Sequence, residues 1–549
     1  MRNWFKYWLV AFTVVMVSCA QQRTPMGGPV DDTPPQILES NPQNEALNYK
    51  GKQIYFQFDE FVRVAAATKE LVVTPPLKYP VTFKMKGKKV YVNWTDTLAD
   101  ETTYMFQFGE GIVDVNESNP LDSNVFVFST GDYLDSMQFD GLVIDGFSLK
   151  PLENVWVMLY PEDIDSLPYN ELPRYFAKTD KAGRYSLRYI SPGEYKVFAL
   201  KPVNSGYLFD QPDEEIGYLK GMYEARNPRD TNATDLPEIK LFLQEDTLQF
   251  IKENKQIQNK GLTFEFNRPV EMLQLKELSG MDISFWESTW NSFNDSVVYW
   301  FDQPLDYDSL KLEIKVEGFI DTLFLRKPST SRKGIRRGSS EAERIVVKPS
   351  STTKLPHFKP FWLSVSTPLA ETDFSNALLI EEKDTLPMGD LVELEGNKIK
   401  LDYKWKQETK YRFFIPDSSL FDRFGTTNDT LLLNLTSTKK EDFGILKISY
   451  QLPEVEHGFI WQLQSKDGKL IKEDLVSREG VLNYEFLNTG QYKVKLIFDE
   501  NDNSRWDPGN YLKDIQPENV VFYEEAIDVR SNWVTELEWI LNFESDSEE

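Results

Sequence analysis

The residues whose types and spacing could do chemistry in this chain are few. Most are carboxylates and side-chain amides. Asp499-Glu500-Asn501-Asp502-Asn503-Ser504-Arg505-Trp506-Asp507 sets side-chain oxygens at alternate positions, namely Asp499, Asn501, Asn503 and then Asp507. A hard cation such as Ca²⁺ collects oxygen ligands of this kind. The run departs from the helix–loop–helix calcium form, because Ser504 stands at the sharp turn and Asn510, not Glu, at the twelfth position. The same residues also make an Asx-rich turn whose side chains bond their own backbone amides. Calcium on Asp499, Asn501, Asn503 and Asp507 and a self-satisfied turn are the two open readings. A second candidate is Asp59-Glu60 with Asp114, since paired carboxylates can hydrolyse glycosides. These three fall at predicted loop edges. The two histidines, His357 and His457, lie about a hundred residues apart with no motif around either. No G-x-S-x-G elbow, Walker loop or H-E-x-x-H helix is present. The expectation is therefore no catalytic residue, no enzyme activity and no cofactor beyond the calcium option.

The single cysteine has a chemistry of its own. Arg2 and Lys6 precede an apolar run from Trp8 to Val17, and Met16-Val17-Ser18-Cys19 follows. A basic start, an apolar core and small residues at a cut site make a secretory signal. The run is too short for a spanning helix, which takes ~20 residues. A cysteine just after the cut is the lipobox arrangement, so Cys19 is the expected site of diacylglycerol and palmitate-type acyl attachment. Each buried CH₂ then contributes ~0.8 kcal/mol to membrane binding. Ala20, not Asp, follows the cysteine, which points to the outer membrane. No acid occurs in Ala20-Gln21-Gln22-Arg23-Thr24, which favours the periplasmic face over the cell surface.

Composition bounds the rest. The chain has 549 residues and a net charge of −26, which becomes −28 when the leader takes away two bases and no acids. Such a charge opposes nucleic acid and anionic surfaces. The mature chain has no second thiol for a disulfide. Aromatics make up 14% of the residues and alternate with polar ones, as in Ile54-Tyr55-Phe56-Gln57-Phe58. That is the period of a half-buried strand. The length calls for several domains. The expected fold class is all-β, in tandem sandwich modules behind the leader (1–18) and a Pro/Gly tether (19–33).

The first module, 34–135, carries Pro34-Pro35, Phe56-Gln57-Phe58-Asp59-Glu60, Thr74-Pro75-Pro76, Leu98 with Thr102-Thr103-Tyr104, Gly111-Ile112-Val113-Asp114 and Phe126-Val127-Phe128-Ser129-Thr130-Gly131. In this order the motifs resemble the SbsA-type bacterial Ig-like domain of envelope lipoproteins. The resemblance implies a small β-sandwich without enzyme activity. The second module, 136–240, runs from Gly141-Leu142-Val143-Ile144-Asp145 through Val155-Trp156-Val157-Met158-Leu159-Tyr160 and Thr179-Asp180-Lys181-Ala182-Gly183 to Gly193-Glu194-Tyr195-Lys196-Val197. It is similar to the carboxypeptidase regulatory-like domain, a transthyretin-like sandwich. Asp180 to Gly183 predicts a hairpin turn, where glycine accepts positive φ.

The remaining modules echo these two. In 241–326, Leu262-Thr263-Phe264-Glu265-Phe266 repeats the Phe56 strand; in 358–440, Glu408-Thr409-Lys410-Tyr411-Arg412-Phe413 repeats Glu101-Thr102-Thr103-Tyr104-Met105-Phe106. Both read as divergent Ig-like sandwiches. The last module, 441–549, repeats the second through Gly490-Gln491-Tyr492-Lys493-Val494. An acidic loop follows each copy. Between them, 327–357 is rich in Ser, Thr, Pro and Lys and reads as a basic linker.

Trp506, Tyr511, Phe522-Tyr523, Trp533 and Trp539 crowd the C-terminal module. Aromatics there serve a core, an interface or sugar stacking. The functional expectation is a non-catalytic outer-membrane lipoprotein that scaffolds or assists an envelope complex in assembly, secretion or transport. The alternative is a carbohydrate-binding surface lipoprotein.

Overall fold

The computed structural model describes residues 31–541 apart from 66–69, 122–124, 204–205, 230–235, 246–247, 292, 317 and 328–342. Cys19 and the basic Lys333–Arg337 run lie outside the described residues. The described chain is built almost wholly of β-strands. It divides into two units: residues up to 144 with 151–239, and residues 145–150 with 240 onward.

In the first unit, Gln53–Phe58 shows why these strands form. Ile54, Phe56 and Phe58 alternate with polar partners and are fully buried, while the intervening residues face out. This strand lies between Ile37–Asn41 and Lys89–Asn93, with Thr82–Lys86 at the sheet edge. The facing sheet holds Val72–Thr74, Thr103–Gln107 and Val125–Ser129. Phe56, Trp94, Phe106 and Phe128 fill the space between. Each such side chain contributes ~1.5–3 kcal/mol by leaving water, and Phe56 meets Phe126 edge-on at 5.1 Å.

The second sandwich orders its strands as Tyr175–Lys178, Trp156–Tyr160, Glu194–Lys201, Glu215–Tyr218, Glu238–Leu243, Met137–Asp145 and Arg184–Ile190. The predicted turn at Asp180 is present, but the flanking strands do not pair as a hairpin. Tyr175–Lys178 pairs with Trp156–Tyr160, whereas Arg184–Ile190 pairs with Met137–Asp145. The turn thus carries the chain from one sheet to the other. The Asp180 carboxylate fixes it by accepting the amides of Ala182 and Arg184, both through Oδ1. Gly183 has φ +74°, and an added Cβ would stand 2.5 Å from the Val143 carbonyl oxygen and 3.0 Å from Pro151 Cβ. Left-handed backbone alone costs an L-residue ~1–2 kcal/mol. Gly183→Ala should therefore lower the stability of the first unit by at least ~2 kcal/mol in denaturant titration. An unchanged midpoint would mean that the turn relaxes freely.

The second unit begins with two further sandwiches. One is centred on Phe264, Phe266, Phe301 and Ile314. The next is centred on Phe361, Trp405, Tyr411 and Phe413. Its core also takes in Ile345 and Leu355, which the composition had assigned to the linker. Ile345, Val347 and Leu355 supply enough apolar surface to order this stretch despite its Ser/Thr/Lys-rich setting, and Arg344–Ile345, Val347–Pro349 and Lys354–Leu355 each add to a sheet.

The predicted echo between the first and fourth modules extends to hydrogen bonds. Tyr104 Oη accepts the Ala99 amide at 3.0 Å, and Tyr411 Oη accepts the Lys406 amide at 2.9 Å. Thr102 N donates to Thr130 Oγ1, and Thr409 N to Ser437 Oγ. Glu101 and Glu408 share φ values of 49° and 50°.

The last sandwich repeats the second strand for strand. Glu479–Leu487, Gly444–Gln451 and Val534–Ile540 form one sheet, and Leu470–Val476, Gly458–Ser465, Gly490–Asp499 and Val520–Phe522 the other. Gly193 and Gly490 take φ 151° and 153°. Tyr195 and Tyr492 each donate to a carbonyl four residues upstream at 2.8 Å. Trp461 lies at the centre of this core, against Tyr450 and Trp539.

Candidate functional site

The loop after Gly490–Asp499 folds on itself. Asp499 is 3% exposed; its Oδ1 accepts the Asn503 amide at 2.9 Å and its Oδ2 the Ser504 amide at 2.8 Å. Asn501 Oδ1 accepts from Asn503 N, and Asn503 Oδ1 from Arg505 N. Asp507 Oδ2 accepts the side-chain amides of Asn501 and Asn503. The four oxygen donors singled out for calcium are thus together, and each already accepts N–H groups. Among the described residues, no three His, Cys, Asp or Glu side chains converge in a metal-holding group.

The residue that organises this loop is one the sequence reading passed over. Glu518 is buried, with Oε1 accepting Glu500 N and Oε2 accepting Asp507 N, both at 2.9 Å. Burial, reinforced by the charges of Asp507 and Asp499, pushes its carboxyl up to about 7 against those two amides. Glu214 does the same work in the second sandwich, accepting the amides of Asp210 and Gln211. In both copies the glutamate stands just before a strand, Glu215–Tyr218 in one and Val520–Phe522 in the other. Glu214 stands one residue and Glu518 two residues before that strand, and this placement was the available signal.

Beside the loop, the outer face of the Gly458–Ser465 and Gly490–Asp499 strands carries a row of polar side chains. Register places Glu473, Gln462, Lys495 and Phe522 side by side across four strands. Gln462 Nε2 donates to Glu473 at 2.8 Å, and Gln464 Nε2 donates to Gln462 Oε1 at 2.9 Å. The turn 145–150 lies over this face. Its Leu149 joins Ile460, Ile497 and Val520, and its Phe147 meets Trp506 at a tilt, with ring centroids 4.9 Å apart.

Lys495 is consequently 1% exposed. Its ammonium lies over the Phe147 ring and 5.7 Å from that of Phe522. No hydrogen bond or ion pair reaches it from the described residues. Burial drives its pKa down to about 7, only partly opposed by Asp145. An open groove of about 1060 Å³ runs along this lysine, bounded by the 145–150 turn and residues 520–526. Nothing near Lys495 in the chain marks it, because its cover comes from a turn about 345 residues earlier.

The other candidates are structural in their contacts. Asp114 is buried, and its carboxylate accepts the amides of Glu117, Ser118 and Asn119. Burial would raise its pKa, but these amides hold it below the usual range. Asp59 Oδ1 accepts the Gln36 amide. Burial, then the charges of Asp114 and Asp59, raises the Glu60 carboxyl. His357 Nδ1 pairs with Thr438 Oγ1, while His457 Nδ1 meets its neighbour's carbonyl at Gly458. Of the C-terminal aromatics, Tyr511 and Trp539 are buried. Trp506 donates to Glu518 O, Phe522 and Tyr523 line the groove, and Trp533 is 64% exposed.

Comparison with known proteins agrees with the sandwiches. Residues 31–130 match the bacterial Ig-like domain family. The chain is thus an Ig-like domain protein of tandem β-sandwiches. No curated protein matches it. Its fold is similar to the Bacteroides ovatus mixed-linkage glucan utilization locus SGBP-B in complex with a mixed-linkage heptasaccharide. That match has 10% identity and TM-score 0.20, and covers 71% of this chain and 93% of that one. It is also similar to BcpA, the major pilin subunit of Bacillus cereus, at 10% identity and TM-score 0.13, covering 74% and 98%. The Bacillus anthracis TIE protein matches at 8% identity and TM-score 0.14, covering 97% and 78%. At these scores none of these likenesses carries a conclusion about this chain.

Proposed function

We propose that this chain is a non-catalytic lipoprotein of the outer membrane. Its sandwiches scaffold or assist an envelope complex in assembly, secretion or transport. The observation that carries this reading is how the carboxylates are used. Asp114, Asp180, Glu214, Asp499 and Glu518 all accept backbone amides in turns and loops between strands. Groups tied to the backbone in this way hold loops in place and are poorly disposed to exchange protons with a substrate. The lipid on Cys19, the outer-membrane location and the transthyretin-like nature of the second and last modules belong to this proposal. So does the periplasmic face.

The test is recovery of the tagged, full-length chain from membranes in mild detergent, followed by mass spectrometry. The expected result is co-purification with an outer-membrane protein. Cys19→Ala should leave a folded chain that has moved to the soluble fraction and lost that partner. Recovery of the wild-type chain alone, or an undiminished complex with Cys19→Ala, would count against the reading.

A further inference from the structure

A buried ammonium without an anionic partner is costly in a protein, and here it stands at the floor of an open groove. On a chain of net charge −26 the same groove gathers three more lysines, Lys150, Lys466 and Lys493. A carboxylate entering beside Lys495 supplies the missing partner and favours the charged amine. The rest of the lining has a different chemistry. Gln464 spends its amide on Gln462, which leaves its carbonyl oxygen to accept a hydroxyl. Asp467, Glu524 and Glu525 add acceptors at the rim. Phe522, which also lines the groove, offers a ring face to the C–H surface of a sugar. Because the groove crosses a sheet face, recognition falls to side chains rather than to a strand edge.

A cation, hydroxyl acceptors and a flat aromatic surface together match a ligand with carboxylates, hydroxyls and an apolar ring face. We propose that the groove beside Lys495 binds an acidic saccharide, with a uronate carboxylate on Lys495, hydroxyls on Gln464 and a sugar ring against Phe522. The proposal is separate from the scaffold reading, which stands or falls on a recovered protein partner.

The experiment is calorimetric titration of the full mature chain with hexagalacturonate and hexamannuronate, with maltohexaose and cellohexaose as neutral controls. At least one uronate hexamer should bind, with the neutral hexamers at least ten-fold weaker. Lys495→Met should weaken uronate binding ten-fold or more while circular dichroism stays native. Gln464→Ala provides a second reading should the lysine variant fail to fold, with an expected loss of several-fold. The proposal is overturned if neither uronate binds, or if neutral and acidic hexamers bind alike. It is equally overturned if inorganic phosphate at the same concentration displaces the uronate, which would mark a simple anion site.

Discussion

Lys495→Met should melt above the parent chain at pH 7, and its advantage should vanish near pH 10.5. Folding moves this amine from its ordinary value of 10.5 to about 7, chiefly through burial. Between those values the unfolded chain binds a proton that the folded chain lacks. Parent stability therefore rises with pH across that window, by up to ~1.4 kcal/mol per unit. Below about pH 7 the penalty is full and flat. Methionine keeps the apolar stem under Phe147 and removes the ammonium, so the variant gains a few kcal/mol at neutral pH at most. Scanning calorimetry of both chains from pH 6 to pH 10 measures the gap. A gap that stays constant as pH rises would show that titration of this amine is not its cause.

The second large effect belongs to the same sandwich. Trp461→Ala should cost ~3–5 kcal/mol, the range for deleting a large aromatic from a packed core. Trp461 is fully buried, with Tyr450 at 5.1 Å and Trp539 at 5.3 Å between ring centroids. No small shift of these rings fills the space it leaves. For a domain of this size that loss lowers the transition by roughly ten degrees or more. The transition of residues up to 144 with 151–239 should stay where it is. Equal melting of variant and parent would contradict the packing of this core.

Much of the architecture was legible because a strand with one buried face writes its period into the chain. Ile54, Phe56 and Phe58 alternate in sequence and in burial alike. The echo of Glu101–Phe106 in Glu408–Phe413 was legible for a further reason: a tyrosine at a fixed distance from a turn makes the same hydrogen bond in each copy. Ile345 and Leu355 were missed because short strands in a Ser/Thr/Lys-rich setting do not shift the average composition. Asp180 was read as a hairpin because a tight turn has the same residues whether its strands pair with each other or leave for different sheets. Glu518 and Lys495 were invisible for a physical reason. What makes each unusual is burial, and burial is conferred by segments remote in the chain. For Lys495 the remote segment is the turn at Phe147.

The pairing of Gly444–Gln451 with Val534–Ile540 has a mechanical meaning. The two strands run parallel over seven residue pairs, and they are the first and last strands of their sandwich. Tension drawn through the two ends of that module pulls them past each other along their length. The ladder is then loaded in shear, so its hydrogen bonds share the force and fail together rather than opening one by one like a zipper. A module closed in this way holds its shape under load until the whole ladder gives.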